Sequence, residues 1–210
     1  MNNFNLPKST ENYKKIPKNK LIQKTKYGVD GNKLFSTISS IAITHWLSET
    51  TINISKTENV SEILILQLDL KEFEIPKDAV KIIQDSFSIS SPILFVFRYE
   101  ENFCYGIFLL DEKKYFFSKW NEEKEFNFID TNLEKVHQNI VKQFLINLDI
   151  KVSKNINYKD SLELDNKIAN LNKQINMLKS KIFKEKQFNK KTELNKELKK
   201  LNQQLEILKG

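Results

Sequence analysis

The sequence predicts an α+β fold: a small mixed sheet with an antiparallel meander, packed by helices and followed by a C-terminal antiparallel helical hairpin (coiled coil). The run at 62–71 indicates a central strand, because it is apolar on both faces for most of its length. Three short apolar runs between residues 93 and 120, joined by brief polar links, indicate the meander. Two heptad runs of leucine and isoleucine near the C-terminus differ in register, which indicates two helices.

The chain is expected to begin with a basic N-terminal arm at 1–32, which prolines and glycines interrupt and which has room for a short helix at 9–16. The globular α+β domain is expected to span 33–150. Its first segment, 33–48, predicts a helix with one apolar face. The residues at helical spacing there are Leu34, Ile38, Ile41, Ala42, His45 and Trp46.

The rest of the domain follows from turn and capping signals. Pro76 suits the first turn of a helix at 76–88. Strands are expected at 93–100, 102–110 and 113–120. Thr131 followed by Glu134 matches a capping box and predicts the last helix of the domain. The buried stripe of that helix is Leu133, Val136, Ile140, Val141, Phe144 and Leu148.

A polar linker is expected at 151–160, and a coiled-coil helical hairpin at 161–210. Alternating steps of four and three residues define an apolar seam that faces a partner helix. The first heptad run cannot be continued into the second, so a turn between them is the simplest solution. The seam can be satisfied within the hairpin, by a second copy of the chain, or by another protein. Its residues are Leu164, Ile168, Leu171, Ile175, Leu178, Ile182, Leu194, Leu198, Leu201, Leu205 and Leu208.

The net charge of +7 is unevenly distributed. Residues 1–33 carry net +6, residues 34–150 net −7 and residues 151–210 net +8. An acidic body with two basic ends suggests that the ends meet an anionic partner. All cations except Arg98 are lysines, which favours phosphate contact over the reading of base edges. The lysine excess is also typical of an AT-rich genome, so codon bias accounts for part of it.

The turn of the hairpin carries the densest basic cluster, which we call the hairpin tip. Glu185 is the only acid between residues 179 and 191, and Phe183 and Phe188 lie among the lysines. The tip could grip a DNA or RNA backbone, or an acidic protein surface. The alternative is a solvated turn whose two phenyl rings merely cap the apolar seam. The candidate binding residues are Lys179, Lys181, Lys184, Lys186, Phe188, Asn189, Lys190 and Lys191.

Several segments together resemble a bacterial family catalogued as domain of unknown function 4391. They are LPKST (6–10), IPK (16–18), TINI (51–54), EILILQLDLK (62–71), PILFVF (92–97) and KEKQFNKKTELN (184–195). The chain departs from the family in the central strand, where Gln67 and Asp69 stand in place of glutamate. The resemblance covers nearly the whole chain and supplies no catalytic residues. It implies an accessory role in restriction-like antiphage loci, beside DNA methyltransferases and helicases.

The residue patterns that could indicate catalysis are weaker than those that indicate binding. Asp69 and Lys71 match the carboxylate-x-lysine half of a Mg²⁺-dependent nuclease site, but no upstream Asp lies between 31 and 68. Cys104, His45 and His137 could form a nucleophile–base pair, although core or boundary positions suit them better. No cofactor or metal site is expected. A lone cysteine excludes a disulfide framework within the chain.

The sequence therefore predicts a non-catalytic accessory or adaptor subunit of a bacterial antiphage or restriction-like complex. Its basic tip would contact nucleic-acid backbone without sequence specificity, or an acidic partner. The alternatives are a pure protein–protein adaptor that uses the coiled coil, and the Mg²⁺-dependent nuclease. Expected partners are a helicase or a DNA methyltransferase, with homo-oligomers also compatible. No apolar run is long enough to span a membrane, and no signal peptide is evident, so the expected location is cytoplasmic.

Overall fold

The computed structural model describes residues 4–23, 30–109, 112–145 and 156–209. The chain divides into two compact units, Met1–Phe144 and Leu145–Gly210. The first unit contains both the N-terminal arm region and the body, and the second contains the hairpin. The boundaries drawn from sequence within these units stay predictions.

The described part of the first unit is a six-stranded sheet with short helices, which confirms the predicted α+β class. The strands are β1 (Glu11–Lys15), β2 (Ile38–Ser48), β3 (Glu62–Leu70), β4 (Ile93–Tyr99), β5 (Asn102–Leu109) and β6 (Lys114–Phe117). The helices are α1 (Lys18–Ile22), α2 (Gly31–Leu34), α3 (Glu49–Ile52), α4 (Lys77–Asp85) and α5 (Leu133–Lys142), with a 3-10 turn at Lys8–Thr10.

The strands lie in the sheet in chain order, from β1 to β6. All neighbouring pairs are antiparallel except β3 and β4, which are parallel. Parallel neighbours need a crossover connection, and α4 lies in the segment that supplies it. The mixed sheet and the β4–β5–β6 meander are therefore as predicted.

The core is built on β3, whose two faces are both apolar. Leu64, Leu66 and Leu68 are buried in one cluster with Val80 and Ile83 of α4. Ile63 and Ile65 point to the opposite face and are also buried. Helix α5 contacts β3 and contributes further buried apolar residues, namely Leu133, Val136, Ile140 and Val141. Leu148, the last residue of the stripe predicted for that helix, lies outside the described residues.

The helix predicted at 33–48 is wrong, because this segment forms α2 and then the eleven-residue strand β2. Register shifts between Ile38 and Ser40, and between Ile43 and His45, interrupt the alternation of faces. Buried residues therefore recur at spacings that imitate a helix. Ile41, Ala42 and Ile43 are buried in succession, since both sides of the strand are covered at that point.

Two further local predictions, a short helix near the N-terminus and the cap of α5, are also wrong. The helix predicted at 9–16 is absent, and residues 11–15 instead form β1, an exposed strand paired with β2 at the edge of the sheet. The N-cap of α5 is Asn132, whose side chain accepts a hydrogen bond from the Lys135 amide at 2.9 Å. Thr131 donates instead to Asp130, so the predicted Thr131–Glu134 capping box does not form.

Gly106 in β5 is required by packing. A Cβ atom there would lie 2.7 Å from Cδ1 of Phe117 and 2.9 Å from Cε2 of Phe97. We expect Gly106→Ala to lower the free energy of unfolding by roughly 1–3 kcal/mol, because two packed rings must move. Urea unfolding checks this. A Gly106→Ala/Phe117→Leu double variant should recover part of the loss, and equal stability of Gly106→Ala and wild type would contradict the account.

The second unit consists of two long helices, α6 (Tyr158–Lys184) and α7 (Phe188–Lys209). They pack against each other, and residues near Asn170 in α6 lie beside residues near Ile207 in α7. The hairpin is therefore antiparallel, as predicted. Asn157 caps α6 by accepting from the Asp160 amide at 2.9 Å. Residues 151–155 of the predicted linker lie outside the described residues, and α6 begins within its remainder.

Candidate nucleic-acid interface at the hairpin tip

The apolar seam of the hairpin is asymmetric. Ile168, Ile175 and Leu178 of α6 are buried, whereas no described residue of α7 is fully buried. The remaining heptad positions are half-buried: Leu164, Leu171, Ile182, Leu194, Leu198, Leu201, Leu205 and Leu208. Helices longer than 20 residues still depend on tertiary packing in water, so α7 relies on α6 for its stability.

The connection between the two helices is three residues long, from 185 to 187. Helix α6 ends where Glu185 takes an extended conformation, with φ −75° and ψ 127°. The Glu185 amide donates to the Lys181 carbonyl at 3.0 Å. The Glu185 carboxylate accepts from the Gln187 amide at 2.8 Å. The only acid of the tip is therefore engaged in shaping the turn.

The two phenyl rings of the tip point into solvent. Phe183 is 88% exposed and Phe188 is 81% exposed, the highest values among the large hydrophobic residues that the structure describes. Phe183 follows the seam residue Ile182, and Phe188 is the first residue of α7. Rings that capped the seam would be largely buried against it. That interpretation of the two phenylalanines is wrong, because each ring is exposed to solvent.

The tip lysines flank these two phenylalanines in the sequence, and they form no ion pairs among the described residues. All six are exposed: Lys179, Lys181, Lys184, Lys186, Lys190 and Lys191. Within the described part of the chain, none of them has a carboxylate partner at ion-pair distance. The nearest acids along α7 are Glu193 and Glu197, which share a shallow cleft of about 570 Å³ with Lys184. Exposed lysines also lie farther along both helices, so the tip is distinguished by the density of lysines around the turn, where Asn189 is exposed as well.

Asp69, the candidate nuclease carboxylate, has partners inside the sheet. Its Oδ2 atom accepts from the hydroxyl of Ser40 on β2, and its Oδ1 atom accepts from the Gln67 side chain at 2.8 Å. Arg98 lies opposite it in register on β4 but is exposed. Among the described residues, no three His, Cys, Asp or Glu side chains converge to hold a metal ion. The geometry gives Asp69 a structural role in joining β2 to β3.

The candidate nucleophile, Cys104, and the candidate bases, His45 and His137, lie on different elements and do not have the properties of a catalytic pair. Cys104 is buried in β5, and burial raises the pKa of its thiol. Its sulfur atom lies 3.3 Å from the Ser118 carbonyl, to which it donates. His45 lies in β2, with its ring edge-on to Phe4 at 5.7 Å, and burial lowers its pKa. A buried thiol that stays protonated at neutral pH is a poor nucleophile, and both histidines are only partly buried and lie on other elements, His45 on β2 and His137 on α5.

His137 provides a pH test of the packing of α5. Burial lowers its pKa to about 4 from an ordinary value of 6.5, opposed in part by Glu134. Below pH 6.5, His137 thus binds a proton in the unfolded chain but stays neutral in the folded chain. The stability that neutral His137 provides is complete above pH 6.5 and is lost as the pH falls toward 4. We expect the free energy of unfolding of His137→Gln, measured in urea, to depend less on pH between pH 6.5 and 5 than that of the wild type. Above pH 7 the two proteins should show the same pH dependence. Equal pH dependence below pH 6.5 would argue against a neutral His137.

The structure also shows an aromatic cleft that sequence reasoning missed. Phe73 follows β3 and stacks on Trp120 with 4.4 Å between ring centroids, and it meets Tyr99 edge-on. The cleft has a volume of about 680 Å³, and two lysines and two acidic residues are among the residues that line it. The exposed Phe73 in an otherwise polar connection was the available signal. Its neighbours come from distant parts of the chain, so their convergence was not predictable.

Comparison with known proteins gives one family. A family model described as a domain of unknown function (DUF4391) matches residues 4–205. No curated protein and no solved structure matches the chain. Among the described residues, no helix combines the length and apolar character needed to cross a membrane.

Proposed function

The chain belongs to the family of the domain of unknown function DUF4391, and on that premise we propose that it is a non-catalytic accessory subunit that binds nucleic-acid backbone through its hairpin tip. The single observation that carries this proposal is the combination at residues 179–191. Six exposed lysines face one acid there, and that acid is already used by the backbone of the turn.

The positive charge of the hairpin tip supports a nucleic acid as its anionic partner. Each lysine that neutralises a phosphate releases condensed counterions, so binding is strongly salt-dependent and independent of sequence. Lysine presents a point charge, whereas arginine is the usual reader of guanine edges. The tip contains no arginine. We therefore expect backbone contact that positions the protein without selecting a base sequence.

The wider role within this proposal is accessory. The first unit would dock on a protein partner such as a helicase or a DNA methyltransferase, in a cytoplasmic restriction-like or antiphage complex. That setting rests on the family resemblance. The proposal includes coiled-coil packing of α6 on α7, which holds the tip lysines together at the end of a rigid hairpin.

A pure protein–protein adaptor is the second candidate, and one observation favours it. The hairpin leaves apolar side chains open beside its seam: Met177 is 54% exposed and Ile207 is 79% exposed. A partner helix or a second copy of the chain could cover them. In that case the seam would matter for complex formation and the tip would be dispensable.

Binding of the full-length protein to labelled oligonucleotides separates the two candidates. Fluorescence anisotropy with 20-nucleotide single strands and 20-base-pair duplexes of two unrelated sequences, at 50 and 200 mM salt, is the direct assay. We expect binding that ignores sequence and weakens at least tenfold at the higher salt. Absence of binding at 50 mM salt would overturn the nucleic-acid proposal in favour of the adaptor. Pull-down of the native complex with and without nuclease would then show whether its partners are held by protein contacts.

A further inference from the structure

We infer that the hairpin tip selects unpaired nucleotides over duplex, with Phe183 and Phe188 stacking on bases. The inference rests on the proposed nucleic-acid function and adds the class of ligand. Two observations carry it: Phe183 and Phe188 are largely exposed, and exposed lysines without ion pairs flank them at the helix ends on either side of one short turn.

The size of the hairpin end disfavours groove entry. Two packed helices measure roughly 20 Å across, from helix diameters of about 10–12 Å and an axial separation of about 8–10 Å. The major groove of B-form DNA is about 12 Å wide, which admits one helix but not two side by side. The tip therefore meets a duplex only along its outer backbone, where phosphates are available and base faces are not.

The phenyl rings have no favourable partner on such a backbone. Their exposure leaves apolar surface in water, and contact with charged phosphates does not remove it. Inserting a ring between paired bases would first require unstacking them, at a cost of a few kcal/mol per step. Unpaired bases expose their faces without that cost, and stacking on aromatic side chains is tolerant of base identity.

The positions of the tip lysines also suit a single strand. A single strand can bend around a convex surface, so its phosphates reach lysines on both sides of the turn. Lys181 and Lys184 lie on the α6 side, and Lys190 and Lys191 lie on the α7 side. The two rings, Phe183 and Phe188, are likewise contributed one by each helix. The geometry therefore suits a short run of unpaired nucleotides that crosses the end of the hairpin.

The test compares ring and charge contributions in the full-length protein. Anisotropy is measured with dT20, U20 and a 20-base-pair duplex, and with heparin as a polyanion that has no bases. The variant is Phe183→Ala/Phe188→Ala. Ile207→Ala serves as the matched control, because it removes an equally exposed apolar side chain from the far end of α7. Circular dichroism establishes that all variants keep the helical hairpin.

We expect dT20 and U20 to bind more tightly than the duplex, and the double variant to lose roughly 10- to 100-fold affinity for them. Its affinity for the duplex and for heparin should change less than about threefold, as should all affinities of the control. A preference for U20 over dT20 would identify RNA as the ligand within the same class. Equal affinity for single strand and duplex, or a preference that survives loss of both rings, would overturn the inference while leaving backbone binding intact. Failure of every nucleic acid to bind would instead overturn the proposed function.

Discussion

Reversing the charge of the four lysines nearest the turn is expected to abolish nucleic-acid binding at moderate salt. The variant is Lys184→Glu/Lys186→Glu/Lys190→Glu/Lys191→Glu. Each phosphate contact contributes close to tenfold in affinity at about 50 mM salt through counterion release, so four contacts amount to on the order of 10³-fold or more. The four side chains are exposed, and the described structure gives them no ion pair to lose. Fold and thermal stability should therefore be nearly unchanged.

A matched control distinguishes the tip from the overall charge of the hairpin. Lys167, Lys173, Lys199 and Lys200 are exposed on the same two helices, away from the turn. Their simultaneous change to Glu alters the net charge by the same amount. We expect this control to lose far less affinity, since only long-range attraction is weakened. Equal losses in the two variants would mean that net charge acts, and that the tip is not a site.

The second large effect is expected from breaking the seam. Ile175→Asp places a carboxylate where the native side chain is only 3% exposed. Loss of the buried isoleucine alone costs about 2–5 kcal/mol, and an unpaired buried charge adds to that cost. Since α7 has no fully buried described residue, it should melt once α6 no longer supports it. Helical ellipticity should fall markedly, and affinity for single strands roughly tenfold or more as the lysines are no longer preorganised.

Met177→Asp is the control for this prediction, because Met177 lies on the same turn of α6 but is 54% exposed. It introduces the same charge near the same place without entering the seam. We expect its ellipticity and affinity to stay close to wild type. If Ile175→Asp kept full helicity, the hairpin would not depend on the seam. If it lost helicity but kept full affinity, presentation of the tip by a rigid hairpin would be wrong.

The hairpin was predictable because its determinants are local in sequence. Heptad spacing specifies which side of a helix is apolar, and the register break specifies where the chain must turn. The central strand β3 was predictable for a similar reason, since an apolar run on both faces requires cover from both sides. Pro76 also marked the start of α4 to within one residue, since it is the N-cap and not the first helical residue, but the helix ends at Asp85 and not at residue 88.

The failures lie where partners from distant segments decide the structure. Strand β2 was predicted as a helix because its two register shifts, seen only when it pairs with β3, disguise the alternation. Asp69 matched part of a metal site in the sequence, but in the structure its carboxylate accepts a hydrogen bond from Ser40, which is 29 residues away in the chain. For the tip, the sequence located the lysines, but it could not show whether Phe183 and Phe188 face the seam or the solvent. That orientation depends on how α6 and α7 rotate against each other.

Photo-cross-linking is the most direct test of the central claim, that the hairpin tip contacts nucleic acid. The full-length protein is irradiated with a single strand carrying 5-iodouracil, then cleaved after glutamate and mapped by mass spectrometry. Cleavage at Glu163, Glu185 and Glu193 places the two tip rings in separate peptides, 164–185 and 186–193. We predict adducts on both peptides, centred on Phe183 and Phe188. In the four-lysine variant, whose new glutamates change the cleavage pattern, the yield of cross-linked intact protein should fall to background. Adducts confined to the first unit, Met1–Phe144, would contradict the account.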